Sequence, residues 1–360
     1  MTNKTVSHPE PRTGLRTPDS GPRTYKIAIV GLGGHGGSIQ RSAEACDAIE
    51  VAIVCDTNKE EVEKSVRRFN CEGVTDYADV LRFDGLDAVV LVTPNHLHLE
   101  QTLAAFDRGL NVFVEKPIAN NVDDGVAMLQ AAQDAGLKFV VGHNMRYSRA
   151  YWRMRELVSE GKLGDIISTE IHFSADNTRW MPKSVWRLRP DLCPLLPVMQ
   201  LGIHGIDLVQ SLIGPIDEVT AMAGSYTTEP GVIDGLVAAV RFASGRLGTI
   251  VSNYCTQVAF DFRLSGTEGT IFSTPHRGWY RKSTDTTSQC EGPKERFDFR
   301  AYDGESYLLQ MEAFAEVLAG SRFSGASVAD AISALAVVEA LHQSVEAGRP
   351  VRVVPVRELV

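Results

Sequence analysis

YKIAIVGLGGHGGSIQRSAEA, residues 25–45, passes from an apolar run through a cluster of glycines into a segment of helical character. That strand, turn and helix order is the context in which a G-x-G-x-x-G spacing has meaning. Gly31 makes the tight turn, Gly33 lets a pyrophosphate approach the backbone, and Gly36 lets the helix pack closely on the strand. The free N–H groups at the start of the helix then face the phosphates. Glycine-rich turns are common, so the loop alone decides little. A second apolar run, EVAIVCD (50–56), ends in Asp56, about 20 residues past the last glycine, where an acid takes the ribose hydroxyls of adenosine. The loop Gly31, Leu32, Gly33, Gly34, His35 and Gly36, together with Asp56, is therefore expected to bind a dinucleotide. Asp56 would repel a 2′-phosphate, which favours NAD; Lys59, three residues on, is the cation that would admit NADP.

The alternation continues through DAVVLV (87–92), NVFVE (111–115) and KFVVGH (138–143), with helical segments at about 97–108 and 121–135. Apolar runs separated by helices predict an α/β, doubly wound parallel sheet. In such sheets ligands sit beyond the carboxyl ends of the strands, which singles out TPNHLH (93–98), EKPIAN (115–120) and HNMRYS (143–148). From about 165 to 273 short β-rich runs alternate with Gly, Ser and Asp turns, as an antiparallel sheet requires. YLLQMEAFAEVLAG (307–320) and SVADAISALAVVEALHQSVEAG (327–348) read as amphipathic helices returning to cover the core. The expected layout is an arm (1–24), a dinucleotide-binding domain (25–145) and a second domain (146–360).

The chain has 360 residues, 44% hydrophobic and 22% charged, with a net charge of -9, enough for two soluble domains and without a basic patch for nucleic acid. Its 6 cysteines show no CxxC, and no HExxH or DxD spacing appears, so no metal is expected. Residues 1–24 lack the apolar stretch of a signal peptide and read as a disordered arm. No apolar run suggests a membrane span, and a cytoplasmic location is expected.

VMQLGIHGIDLVQS (198–211) carries a narrow polar stripe in an apolar segment. On a helix Gln200, His204, Asp207 and Ser211 fall within an arc of roughly 60°, too narrow for a solvated face. Two readings compete: polar groups aimed into a cavity, or a core histidine bonded to Asp207 one turn on.

In order, GLGGHG, TPNHLH, EKP, HNMRY and LGIHGIDL resemble the motifs of the glucose-fructose oxidoreductase, inositol dehydrogenase and rhizopine catabolism family of NAD(P)-dependent sugar and cyclitol oxidoreductases, over about residues 25–353. The resemblance implies that the first domain (25–145) is a Rossmann domain and the second (146–360) a substrate-binding and oligomerisation domain, with an open, mainly antiparallel sheet that pairs subunits into dimers or tetramers. It implies Lys116 of EKP as the cation that stabilises the reacting alcohol oxygen. Thr93, Pro94, Asn95 and His98 would line the cofactor, with Glu115 near the nicotinamide ribose. His204 would be an acid/base oriented by an aspartate four residues earlier. Here Gln200 stands in that place and brings no charge, so it would orient the ring as a weaker base; Asp207 is the other source of charge. Asn144 and Arg146 would touch substrate or nicotinamide, an interdomain salt bridge being the second reading for Arg146. Trp186 and Arg187 precede CPLLPV (193–198), where the family commonly has paired glycines. Trp186 either stacks on a sugar or packs in the core, and segment 274–304 is expected to loop over the site. The implied activity is interconversion of a secondary alcohol and a ketone on a sugar, glycoside or cyclitol. The alternatives are a lyase or glycosidase-like enzyme with transiently reduced NAD, and a nucleotide-binding regulator.

Overall fold

Strands β1 (Tyr25–Val30), β2 (Ile49–Cys55), β3 (Glu72–Val74), β4 (Ala88–Leu91), β5 (Asn111–Glu115) and β6 (Phe139–Gly142) form a six-stranded sheet in the order β3-β2-β1-β4-β5-β6. Every pairing in it is parallel. The crossovers run through α1 (Gly36–Ala45), α2 (Lys59–Phe69), α3 (Tyr77–Arg82), α4 (His98–Asp107) and α5 (Val122–Ala135), and α6 (Arg149–Ser159) follows the last strand. Helices on both faces leave no wet side, so β4 is buried at all four positions and the strands read as continuous apolar runs. This computed structural model describes residues 23–282, 295–300 and 304–356. The expected arm, apart from Arg23 and Thr24, lies outside them.

The second sheet holds β7 (Ile166–Asp176), β8 (Ile216–Gly224), β9 (Gly235–Phe242), β10 (Leu247–Asn253), β11 (Cys255–Gly266), β12 (Gly269–Ser273), β13 (Arg277–Lys282), β14 (Glu295–Asp298) and β15 (Val351–Arg352), ordered β14-β13-β12-β11-β7-β10-β9-β8-β15. It is antiparallel except between β7 and β10. Helix α7 (Ile203–Ile213) packs on its inner face. Burial alternates along β9, so Leu236, Ala238 and Val240 face the core while Val237 and Ala239 face outward. Segment 274–304, expected to be a loop, instead contributes β13 and the edge strand β14; Phe272 stacks on Trp279 across β12 and β13. Its residues 283–294 and 301–303 lie outside the described ones.

The last two helices return to the first sheet. Helix α8 (Glu305–Leu318) places Phe314 edge-on to Phe113 of β5, ring centres 5.5 Å apart, and buries Met311 in the same cluster as Ile27 and Ile29. Helix α9 (Val328–Ala347) packs against α5 and β8. It starts with a capping box, Ser327 accepting from the Asp330 N–H and Asp330 from the Ser327 N–H. This helix corrects one expectation: at 20 residues it is long and apolar enough to cross a bilayer. Its Ile332, Leu335 and Leu341 are instead fully buried in the core, which accounts for its composition.

Candidate active site

The glycines of the loop differ in what surrounds them. Gly31 has φ +92°, and a Cβ there would stand 2.5 Å from the Val92 carbonyl oxygen. At Gly36 a Cβ would stand 2.3 Å from the oxygen of Gly31, so only glycine lets α1 close on the turn. A Cβ on Gly33 would meet nothing within 4 Å; that side of the backbone is open for a phosphate. The Leu32 N–H donates to Asp56 Oδ2 at 2.7 Å, and the Asn58 N–H to Oδ1 at 2.8 Å. Asp56 thus stands against the loop at the end of β2. A dinucleotide fits this cradle, with Gly34 (φ +53°) continuing the turn. His35 begins the opposite wall, its Nε2 3.5 Å from Glu115 Oε1 and its ring edge-on to Tyr307.

Beyond the strand ends lies a cavity of about 450 Å³ walled by both sheets' loops. His35, Thr93, Asn95, His98, Glu115 and Lys116 reach it from the first domain. Buried His98 ties two loops together: Nδ1 lies 3.0 Å from the Pro117 carbonyl and Nε2 3.0 Å from that of Thr93. Thr93 donates to Gln101 at 2.6 Å, and Asn95 donates to Asn120 and accepts from Gln200 Nε2 at 3.4 Å. Pro94 opens the short 3-10 turn Asn95–Leu97 and, like the glycines and Asp56, stays outside the cavity wall. Glu115 is buried, which raises its pKa; His35 and Lys116 outweigh that and hold the carboxyl below its ordinary value.

Lys116 is the cation at the centre. Its Nζ donates to the Gln200 carbonyl at 2.7 Å. Burial lowers its pKa to about 8; Glu115 opposes that and Arg187 adds to it. Gln200 and His204 line the cavity too, but the expected bond between them is not made. Residues Val198–Gly202 form a π-helical turn before α7, and the extra residue per turn takes Gln200 off the 100° spacing on which the stripe was read. Its amide instead accepts from Arg187 Nε at 3.1 Å and donates toward Asn95 and Cys193 at 3.4 and 3.5 Å. The buried Nδ1 of His204 has no hydrogen-bond partner among the described residues. Burial, then the charges of Lys116 and His143, push this imidazole well below its ordinary pKa, so it is neutral.

The rest of the stripe faces elsewhere. Asp207 is buried, accepts from Arg146 Nε and Nη2 at 2.7 Å each, and lies 3.7 Å from His143 Nδ1. Ser211 pairs with the Tyr151 hydroxyl at 3.0 Å. Arg146 and Asp207 therefore form the salt bridge of the second reading, and neither lines the cavity. Asn144 does line it, donating to Ser306 at 3.1 Å, as do Trp186 and Arg187. In CPLLPV, Leu195 takes φ +52°, a conformation glycine would adopt without strain, while its side chain is buried. Tyr254, His276, Ser306 and Tyr307 complete the walls; no motif marks them, because they arrive from the end of β10, the β12–β13 turn and the start of α8.

Residues 25–143 match the model of an oxidoreductase family with an NAD-binding Rossmann fold, and residues 151–272 that of the GFO/IDH/MocA C-terminal domain. The 1,5-anhydro-D-fructose reductase of Ensifer adhaerens is 30% identical over 206 residues, 56% of this chain; the match spans 60% of the reductase's length. Inositol 2-dehydrogenase 2 of Mycolicibacterium vanbaalenii is 28% identical over 342 residues, 91% of this chain and 95% of that one. A levoglucosan dehydrogenase solved with NADH and levoglucosan superposes with a TM-score of 0.83 over 92% of this chain and 100% of its own, at 21% identity. At that identity the likeness is one of fold.

Proposed function

The chain belongs to the GFO/IDH/MocA oxidoreductase family, and on that premise we propose that it interconverts a secondary alcohol and a ketone on a sugar, glycoside or cyclitol, with Lys116 handling the proton. Bound along the glycine loop, the nicotinamide nucleotide supplies the hydride acceptor. The observation that carries the reading is Lys116: a half-buried amine with a pKa of about 8 on the wall of the cavity. Near neutral pH it exists in both forms, which is what general acid–base work requires. The free amine takes the hydroxyl proton; the ammonium returns it to a ketone or stabilises charge on the reacting oxygen. Neutral His204 gives that oxygen a hydrogen bond, and the Gln200 carbonyl holds Lys116 in place. Asp56 favours NAD over NADP because it accepts from ribose hydroxyls and repels a 2′-phosphate. A homo-oligomer in the cytoplasm is the assembly we favour: Met222 and Val237, paired on the outer face of the second sheet, are 80% and 54% exposed.

The test is a panel of sugars and cyclitols with NAD, read by NADH absorbance. At least one is expected to be oxidised by the wild type and not by Lys116→Ala. NADH binding without turnover of any polyol, in either direction, would refute the reading.

A further inference from the structure

Among the described residues the cavity is lined by two cations, Lys116 and Arg187, and one carboxylate, Glu115. Arg187 uses Nε to reach Gln200 Oε1 and lies over the Trp186 ring, 4.7 Å from its centre. Its two terminal nitrogens make no hydrogen bond among the described residues. Lys116 is held by the backbone oxygen of the same Gln200. Neither cation has an ion-pair partner among the described residues, and both line the cavity. The one carboxylate among the described lining residues, Glu115, lies 3.5 Å from His35 and also acts on Lys116, so the positive charge left in excess is that of Arg187. Gln200, which touches both cations, is an amide and contributes no charge. His35, His98, His204 and His276 add further nitrogen and no negative charge.

An arginine in such a place cannot lose its proton, and the cost of keeping it out of bulk water falls when a ligand brings the opposite charge. Resting on the reading that this cavity holds the alcohol to be oxidised, we propose that the substrate is a sugar acid, an aldonate or uronate, whose carboxylate is taken by the two terminal nitrogens of Arg187 while Lys116 takes the reacting hydroxyl. The planar fork of a guanidinium matches a carboxylate in two parallel bonds. One permanent charge on Arg187 and a lysine that titrates near 8 suit a monoanion; a phosphate monoester, with nearly two charges at neutral pH, exceeds it.

Initial rates with NAD are compared for D-gluconate, D-glucuronate and D-galacturonate against D-glucose, D-galactose, myo-inositol and glucose 6-phosphate, in the wild type and in Arg187→Gln. The same compounds are titrated calorimetrically into NADH-saturated protein, and retained NADH binding certifies the variant as folded. At least one acid is expected to exceed its neutral counterpart about 30-fold in kcat/KM, with the preference collapsing in Arg187→Gln mainly through KM, as loss of a charged hydrogen-bond pair implies. Arg187→Lys is expected to recover only part of it. Preference for neutral polyols or for glucose 6-phosphate, or an acid preference that survives Arg187→Gln, overturns the proposal while leaving the oxidoreductase reading intact. If nothing turns over, that reading fails and calorimetry decides: acids binding at least tenfold tighter than neutral sugars, through Arg187, support the anion site, and equal or absent binding overturns it.

Discussion

Gln200→Glu tests the electrostatics of the site most directly. The substitution keeps the length of the side chain and its acceptance from Arg187 Nε, and gives up only the long contacts to Asn95 and Cys193. It adds one negative charge beside Lys116, whose Nζ lies 2.7 Å from the backbone oxygen of the same residue. Two unit charges about 5 Å apart, at an effective dielectric near 20, interact by about 3 kcal/mol, or about two pKa units. Opposite charge favours the ammonium, so the lysine moves from about 8 up to about 10. At pH 7.5 the free amine falls from about a quarter of the molecules to below about one in a hundred, and kcat/KM for alcohol oxidation drops about 100-fold. The loss shrinks as pH rises and closes once pH passes the new value. Ketone reduction, which needs the ammonium, keeps its rate to higher pH than in the wild type. The assay is kcat/KM by NADH absorbance from pH 6 to 10.5 at saturating NAD. Its readout is the midpoint, because a weaker interaction with substrate lowers the whole curve without moving it. A midpoint unchanged within about half a unit would falsify the assignment of Lys116 as the titrating base.

Lys116→Ala and His204→Ala should each cut turnover by about a hundredfold while leaving NADH affinity within a few-fold; full activity in His204→Ala would make the imidazole a packing residue. Gly33→Val should keep the melting temperature within about 2 °C, since a Cβ there meets no protein atom, yet weaken cofactor binding at least about 30-fold; calorimetry and fluorescence titration read the two, and unimpaired binding sinks the cradle. Arg146→Ala should destabilise by about 3 kcal/mol in denaturant unfolding, because it takes from Asp207, 2% exposed, its two-bond partner and leaves only His143 Nδ1 at 3.7 Å. Leu195→Gly pits two effects against each other. Relief of the left-handed backbone returns about 1 kcal/mol, while deleting a buried leucine costs about 3–5 kcal/mol, so the variant should be less stable; a more stable one would show that strain dominates the segment.

Sequence alone determined the dinucleotide loop, because its two sterically required glycines answer to an atom a few residues away or to the adjacent strand: Gly36 to Gly31, Gly31 to Val92 just after β4. It determined the parallel sheet as well, since strands covered on both faces must be apolar throughout, and it located Glu115 and Lys116 because a strand end is where such sheets present ligands. The partners of the polar stripe were decided by tertiary structure. One π-helical turn removed Gln200 from His204 and set it between Arg187 and Lys116. Asp207 was claimed by Arg146 from the loop after β6, a partner that no periodicity within its own helix encodes. Strands β13 and β14 carry weak apolar patterns because they close one end of the sheet, and α8 gives no sign of which sheet it will cover. Periodicity reports which side of an element is dry; it is silent on which other element lies there. The balance of charge in the cavity, two cations and the carboxylate of Glu115 around a neutral amide, depends on just that docking of separate elements, and so it emerges only in the folded molecule.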